Sequence, residues 1–226
     1  MRIISGTAGS MSLKVPASVA RPTTDRVREA VFSMLGEAVA QASVLDLFAG
    51  SGAMGLECLS RGALSAQFVE QHSGACAVIE DNLKRSALLG GRVVKADAFA
   101  ALRRWADDAT RFDLIIADPP YAKKPGDTDF AGQLLASQDL RRLLAPGGLF
   151  VLETMVTKRD SSVIAGWDVV RDRAYGSTRI LILQTDEKND VETAGAAVLQ
   201  PGLSPGPGGD GPGGMEENDS PRWASA

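Results

Sequence analysis

Apolar positions fall into short runs separated by stretches with helical spacing. Phe112, Leu114, Ile115, Ile116 and Ala117 make a run interrupted only by Asp113. It is long enough for a buried strand and too short for a helix. Val44-Leu45-Asp46-Leu47-Phe48, Ala66-Gln67-Phe68-Val69, Arg92-Val93-Val94-Lys95-Ala96 and Leu149-Phe150-Val151-Leu152-Glu153 read the same way. Between them, Leu56, Cys58 and Leu59 continue as a helix that ends near Gly62. Val27, Val31, Met34 and Leu35 recur at helical spacing behind a candidate N-cap, Thr24 or Asp25. Residues 130–144 read as one helix with Leu134, Leu135, Leu140, Leu143 and Leu144 inward, ended by Pro146-Gly147-Gly148. Residues 167–170 and 179–183 predict a closing antiparallel pair joined through Gly176. Strands alternating with helices imply an α/β fold with a mostly parallel, doubly wound sheet.

The ends of the chain differ from this pattern. Residues 2–5 and 12–15 predict two short strands around the turn-prone Gly6-Thr7-Ala8-Gly9-Ser10. Past Thr185 the glycine and proline clusters offer no hydrophobic period, and too little apolar surface to offset the entropy of ordering. The expected organisation is a hairpin extension over 1–20, a catalytic domain over 21–185 and a disordered acidic tail over 186–226. Charge follows the same division. The chain carries a formal −4, but from Asp186 onward there are eight acids and two bases, which leaves 22 bases against 20 acids in residues 1–185. A slightly basic body permits an anionic substrate. Cys58 and Cys76 lie in helical patterns without metal-ligand spacing, which implies buried reduced thiols and no metal. No apolar run approaches the roughly 18 residues of a membrane span, and no signal-peptide core is present, so a soluble cytoplasmic protein is expected.

The strand at 112–117 stops on Asp118-Pro119-Pro120-Tyr121. Two prolines remove two backbone donors and fix φ, so the chain leaves the sheet as a stiff, extended corner. In open α/β sheets, ligands bind at the carboxyl ends of the strands. Ionised Asp118 and the Pro119 carbonyl only accept hydrogen bonds. Together they suit an NH₂ group, with the Tyr121 ring over a flat heterocycle. Two such acceptors draw the amine lone pair out of conjugation and aim it at an electrophile, as methylation of an amino nitrogen requires. Asp118, Pro119, Pro120 and Tyr121 are the candidate catalytic residues.

A second motif supplies the other reactant. Glycines at 50, 52 and 55 follow the first strand with the spacing of a nucleotide-binding turn. The second strand ends at Glu70, about 20 residues after the first glycine, where a carboxylate can accept both ribose hydroxyls. The third ends at Asp97, placed to take an adenine amine. A pyrophosphate cofactor needs nearby positive charge or a helix N-terminus. The acids around this turn, Asp46 included, better suit the ammonium and sulfonium of S-adenosyl-L-methionine than NAD. The candidate cofactor residues are Asp46, the turn Phe48, Ala49, Gly50, Ser51 and Gly52, then Glu70, Asp97, Ala98 and Asp118. His72 reads as a surface histidine at a helix start rather than a base.

With these motifs in place, the chain resembles the bacterial 16S rRNA guanine-N2 methyltransferases of the small-subunit methyltransferase D type. The resemblance rests on Arg2-Ile3-Ile4-Ser5-Gly6, on Arg21-Pro22-Thr23-Thr24-Asp25-Arg26-Val27-Arg28-Glu29, on Asp46-Leu47-Phe48-Ala49-Gly50-Ser51-Gly52 and on Asp118-Pro119-Pro120-Tyr121. The arginine-rich run is the most specific part, and residues 1–185 are covered. The resemblance implies a class I, Rossmann-like fold with a seven-stranded sheet, transfer to the N2 amine of one guanine, and 16S rRNA or the small ribosomal subunit as partner. One departure is that Ser10-Met11-Ser12 stands where the family carries Gly-Arg before Leu-x-Val-Pro. If the hairpin holds RNA, one contact there is missing or moved.

Candidate RNA contacts are Arg21, Arg26 and Arg28 before and within the first helix, and Lys123 and Lys124 on a substrate lip after the corner. A monomer is the favoured state. The alternatives are an adenine-N6 methyltransferase on DNA or RNA, whose substrate amine fits the same corner, and a non-catalytic nucleoside-binding factor for ribosome assembly.

Overall fold

A computed structural model describes residues 1–17, 24–108, 110–124, 126–156 and 163–186. The expected disordered tail therefore lies outside the described residues, apart from Asp186. Seven strands form one sheet: β1 (Ser43–Leu47), β2 (Ser65–Glu70), β3 (Gly91–Lys95), β4 (Phe112–Ala117), β5 (Leu144–Met155), β6 (Trp167–Tyr175) and β7 (Thr178–Thr185). Their order is β3-β2-β1-β4-β5-β7-β6. The first five are parallel, and β7 and β6 close the edge antiparallel. The helices are α1 (Asp25–Leu35), α2 (Ala53–Ser60), α3 (Ser73–Ser86), α4 (Ala98–Asp107), α5 (Phe130–Ala136) and α6 (Gln138–Leu143).

The period-2 alternation of the central strands divides the core. Val44, Leu114, Ile116, Val151 and Ile182 face one side, with Val31 and Phe32 of α1, Leu56 of α2 and Ile79 of α3. Leu45, Leu47, Ile115, Ala117, Leu152 and Leu183 face the other, with Leu102 of α4, Leu134 of α5 and Leu140 of α6. Both faces are covered, as the apolar runs require.

The N-terminal segment folds back on itself around one antiparallel bridge, Arg2 to Ser12, with Ile3 N donating to Met11 O at 3.0 Å, Leu13 N to Met1 O at 3.1 Å and Ser10 N to Ile3 O at 2.8 Å. Ile3 and Leu13 are buried in the α1–α3 face of the core. Its turn is held by α2: Glu57, fully buried, accepts the amides of Ile4 at 2.6 Å and Ser5 at 3.0 Å. Ser60 Oγ donates to Ser5 O at 2.6 Å and accepts from the Ala8 amide at 3.0 Å.

Two elements differ from expectation. The helix over 130–144 is two helices, because the Ser137 hydroxyl accepts the Leu140 amide at 3.2 Å and caps a new start. Leu144 already belongs to β5, whose pairing with β4 shifts register between Phe112 and Leu114 and so carries Pro146-Gly147-Gly148 inside the strand. The expected start of α1 does hold, since Thr24 caps it by accepting from Val27 N.

Candidate active site

The strand order reverses at β1, with β2 on one side and β4 on the other, so a crevice opens between the carboxyl ends of β1 and β4. The glycine turn leaves β1 there. Gly52 takes φ +75° at the start of α2, a left-handed conformation that suits glycine. A Cβ on Gly55 would run into the Phe68 ring, so this glycine lets α2 pack against β2. Ala49 N donates to Val69 O at 3.0 Å, tying the turn to β2.

The acids at the strand ends have distinct duties. Asp46 is buried, and its Oδ2 accepts the Gly55 amide at 2.9 Å. Burial pushes its carboxyl up to about 8; the Gly55 bond opposes this, and the charges of Asp118 and Glu70 add to it. Near neutrality, Asp46 is thus mostly protonated before any cation arrives. Glu70 Oε2 accepts the Gly50 amide at 3.0 Å and Oε1 the His72 amide at 2.8 Å, which aims the carboxylate across the turn. Asp97 is exposed and caps α4 by accepting the Ala100 amide at 2.9 Å. His72 is exposed at the start of α3.

The corner stands beside the turn. Asp46 pairs in register with Ile116 and Leu47 with Ala117, so Asp118 follows directly on the neighbouring strand. Pro119 is buried and Pro120 exposed. The Tyr121 hydroxyl donates to Glu153 Oε1 at 2.8 Å.

Three side chains go beyond the sequence reading: Phe99, Phe130 and Glu153. Phe48, Phe99 and Phe130 meet with ring centroids 5.7 to 6.3 Å apart. They build an aromatic wall from the glycine turn, the first turn of α4 and the start of α5. Phe99 lies two residues beyond Asp97, and that spacing is the signal that could have found it. Glu153 is the carboxylate at the end of β5, an acid at a strand end like the other four.

The candidate RNA contacts differ in burial. Arg28 is a correction: its side chain is fully buried, with Nη2 donating to Arg2 O at 2.5 Å and to Asp25 Oδ1 at 2.7 Å. Among the described residues its Nε and Nη1 find no hydrogen-bond partner, yet they too are sealed from solvent rather than offered to a phosphate. Arg26 is exposed, and Arg21 lies outside the described residues. Lys123 and Lys124 are exposed on a turn whose amides Asp127 Oδ2 accepts at 2.8 and 2.9 Å.

An open hollow of about 410 Å³ lies at the opposite end of the sheet, lined by Gln41, Asp113, Gly148 and Gln184 among others. It sits at the amino ends of β1 and β4, away from the strand reversal, and the chemistry is assigned to the crevice. Among the described residues, no group of three or more His, Cys, Asp or Glu could hold a metal, and no helix is long and apolar enough to cross a membrane.

The residues of the crevice fit S-adenosyl-L-methionine. The turn lets backbone approach a ligand, Glu70 is held at the end of β2, and the phenylalanine wall offers a flat apolar surface for an adenine. Comparison with known proteins agrees. At 35% identity the structure matches a hypothetical protein from Thermus thermophilus with a TM-score of 0.67, covering 82% of this chain and 99% of that one. A 16S rRNA N2 G1207 methyltransferase of Thermus thermophilus, in complex with AdoMet and guanosine, shares the fold at 22% identity and a TM-score of 0.60, over 75% of this chain and 45% of that one. The architecture is that of the class I S-adenosylmethionine-dependent methyltransferases. In sequence, the chain is 33% identical over 193 residues to the ribosomal RNA small subunit methyltransferase D of Escherichia coli strain K12, covering 85% of this chain and 93% of that protein. Residues 1–184 match the family described as Conserved hypothetical protein 95, and the chain belongs to that family.

Proposed function

We propose that this chain is an S-adenosylmethionine-dependent methyltransferase that modifies the exocyclic N2 amine of a guanine in small-subunit (16S) rRNA, acting in the cytoplasm as a monomer. The observation that carries the reading is the corner itself: Asp118 and the Pro119 carbonyl, two acceptors and no donor, stand at the end of β4 beside the glycine turn of β1. The relationship to the Escherichia coli small-subunit enzyme supports rRNA as the acceptor.

Bound S-adenosylmethionine supplies an electrophilic methyl group. Glu70 would hold its ribose, Asp97 and Ala98 its adenine end beside the wall that includes Phe48, and the turn from Ala49 to Gly52 its amino-acid end. Asp118 and the Pro119 carbonyl each take one N–H of the guanine amine and direct its lone pair. The Tyr121 ring stacks on the base, which must be unstacked to enter; extrusion costs a few kcal/mol unless the base already lies in a loop. As nitrogen gains the methyl carbon it becomes acidic, and its proton leaves to Asp118 or water. Holding the two reactants in line supplies much of the acceleration, since orientation is worth about 7–11 kcal/mol in well-aligned systems. Arg26, Lys123 and Lys124 are exposed cations available to rRNA phosphate.

The test is methyl transfer from labelled S-adenosylmethionine to small ribosomal subunits prepared without this enzyme, followed by digestion to nucleosides. Label in N2-methylguanosine is expected. Label in N6-methyladenosine keeps the corner chemistry and overturns the substrate. No label, despite cofactor binding, overturns the catalytic reading.

A further inference from the structure

Tyr121 can set the position of a stacked base only if its own ring is fixed. The corner cannot do this alone, because Pro119 and Pro120 offer no amide donors and Tyr121 lies in a stretch without regular structure. The ring is held at its far end. Its hydroxyl donates to Glu153 Oε1 at 2.8 Å and lies 3.5 Å from Thr178 Oγ1. Ala117 pairs with Leu152, so Glu153 follows on β5 beside Asp118, the residue after β4. Met155 pairs with Thr178, which brings the first residue of β7 to the same rim. Glu153 is only 9% exposed, and a carboxylate so enclosed costs free energy unless a donor meets it. Burial and the neighbouring carboxylate both raise the Tyr121 phenol above its ordinary range, so it stays a neutral donor at working pH.

We propose that Glu153 is a positioning residue for methyl transfer: by accepting the Tyr121 hydroxyl, with Thr178 alongside, it fixes the plane on which the acceptor base stacks. The wall over the base is thus set from β5 and β7, while the amine is held from β4. This rests on the amine-methylation reading above.

Kinetics on small subunits prepared without the enzyme test it, with wild type, Tyr121→Phe, Glu153→Gln, Glu153→Leu and the double variant Tyr121→Phe/Glu153→Leu. A hydrogen bond to a charged acceptor is worth enough that Tyr121→Phe and Glu153→Leu should each lower kcat/KM for the subunit about tenfold. Affinity for S-adenosylhomocysteine should change less than about twofold in both, since the bond they delete joins Tyr121 to β5 and not to the glycine turn. Glu153→Gln, whose amide oxygen still accepts, should retain most activity. The double variant should be no worse than Glu153→Leu alone, because both changes delete one bond. Multiplying effects, or a Gln variant as impaired as the Leu variant, overturns the proposal.

A second measurement does not depend on activity. The chain has two tyrosines, so in Tyr175→Phe protein labelled with ¹³C-tyrosine the remaining ring signal is that of Tyr121. Its ζ-carbon resonance should move in Glu153→Leu and hold close to wild type in Glu153→Gln. An unmoved signal overturns the proposal even where kinetics are impaired. This signature together with wild-type protein that transfers no methyl group instead refutes the function.

Discussion

The Asn82 carboxamide donates to the Ser51 carbonyl at 3.1 Å, bracing the glycine turn from α3. The same buried side chain accepts the Lys14 amide at 2.9 Å and donates to the Lys14 carbonyl at 3.0 Å. One residue therefore ties the cofactor turn to the N-terminal segment. Asn82→Ala strands these groups and should destabilise the protein by about 1–3 kcal/mol, with weaker S-adenosylhomocysteine binding. Urea unfolding and calorimetric titration check both; an unchanged urea midpoint would refute the brace.

Asp118→Ala removes one of two acceptors for the amine. Turnover should fall about 100-fold or more, in the range seen when a single oriented polar contact is deleted. Cofactor affinity should fall much less. Single-turnover rates and equilibrium binding separate the two, and equal losses would sink the assigned role.

Asp46 links folding to pH in an unusual direction for a carboxylate. Its folded pKa, raised from 3.8 to about 8, exceeds the unfolded one, so the native state binds the extra proton between those values. Stability from this group is present below 3.8 and is lost as pH rises through about 8. In Asp46→Asn, whose side-chain oxygen can still accept from Gly55 N, this loss should vanish. Thermal unfolding of both proteins from pH 5 to 9 would show the gap between them shifting in favour of the variant as pH rises; a constant gap would count against it.

Cys58 and Cys76 are buried, and burial is the leading reason that both thiols sit above their ordinary range, Cys58 well above. The native protein should therefore resist a disulfide-exchange reagent at neutral pH, while protein in urea reacts at both thiols. Rapid labelling of the folded state would contradict this burial.

Much of this architecture could be read from residue order, because buried parallel strands leave a plain record. The runs at 44–47, 66–69 and 112–117 had no other use than burial on both faces, and the Asp-Pro-Pro corner announces a strand end chemically. What escaped has a common cause: it depends on which strand or helix lies alongside. Glu153 looked like the polar end of a strand until the pairing of Ala117 with Leu152 set it beside Asp118. Asn82 sat among the charged residues of α3, and only the path of residues 1–14 makes it a brace. Arg28 belongs to an arginine-rich run that reads as surface, yet its helical phase matches Val31, Phe32 and Leu35 and turns it inward. The break at Ser137 was hidden because the leucine spacing continues across it, while the cap that starts the new helix is a single hydroxyl.

The docking of the N-terminal segment has a consequence for the order of assembly. Residues 3–14 close their contacts with Glu57, Ser60, Asn82 and Arg85 across separations of 52 to 73 residues. During synthesis these residues are made before α2 and α3, and they have nothing to grip until those helices exist. Long loops close slowly and late, so this stretch is the natural last piece to lock. Until it does, Ser51 is braced by an Asn82 lacking its Lys14 partners, and the turn gains its full support only once this segment docks.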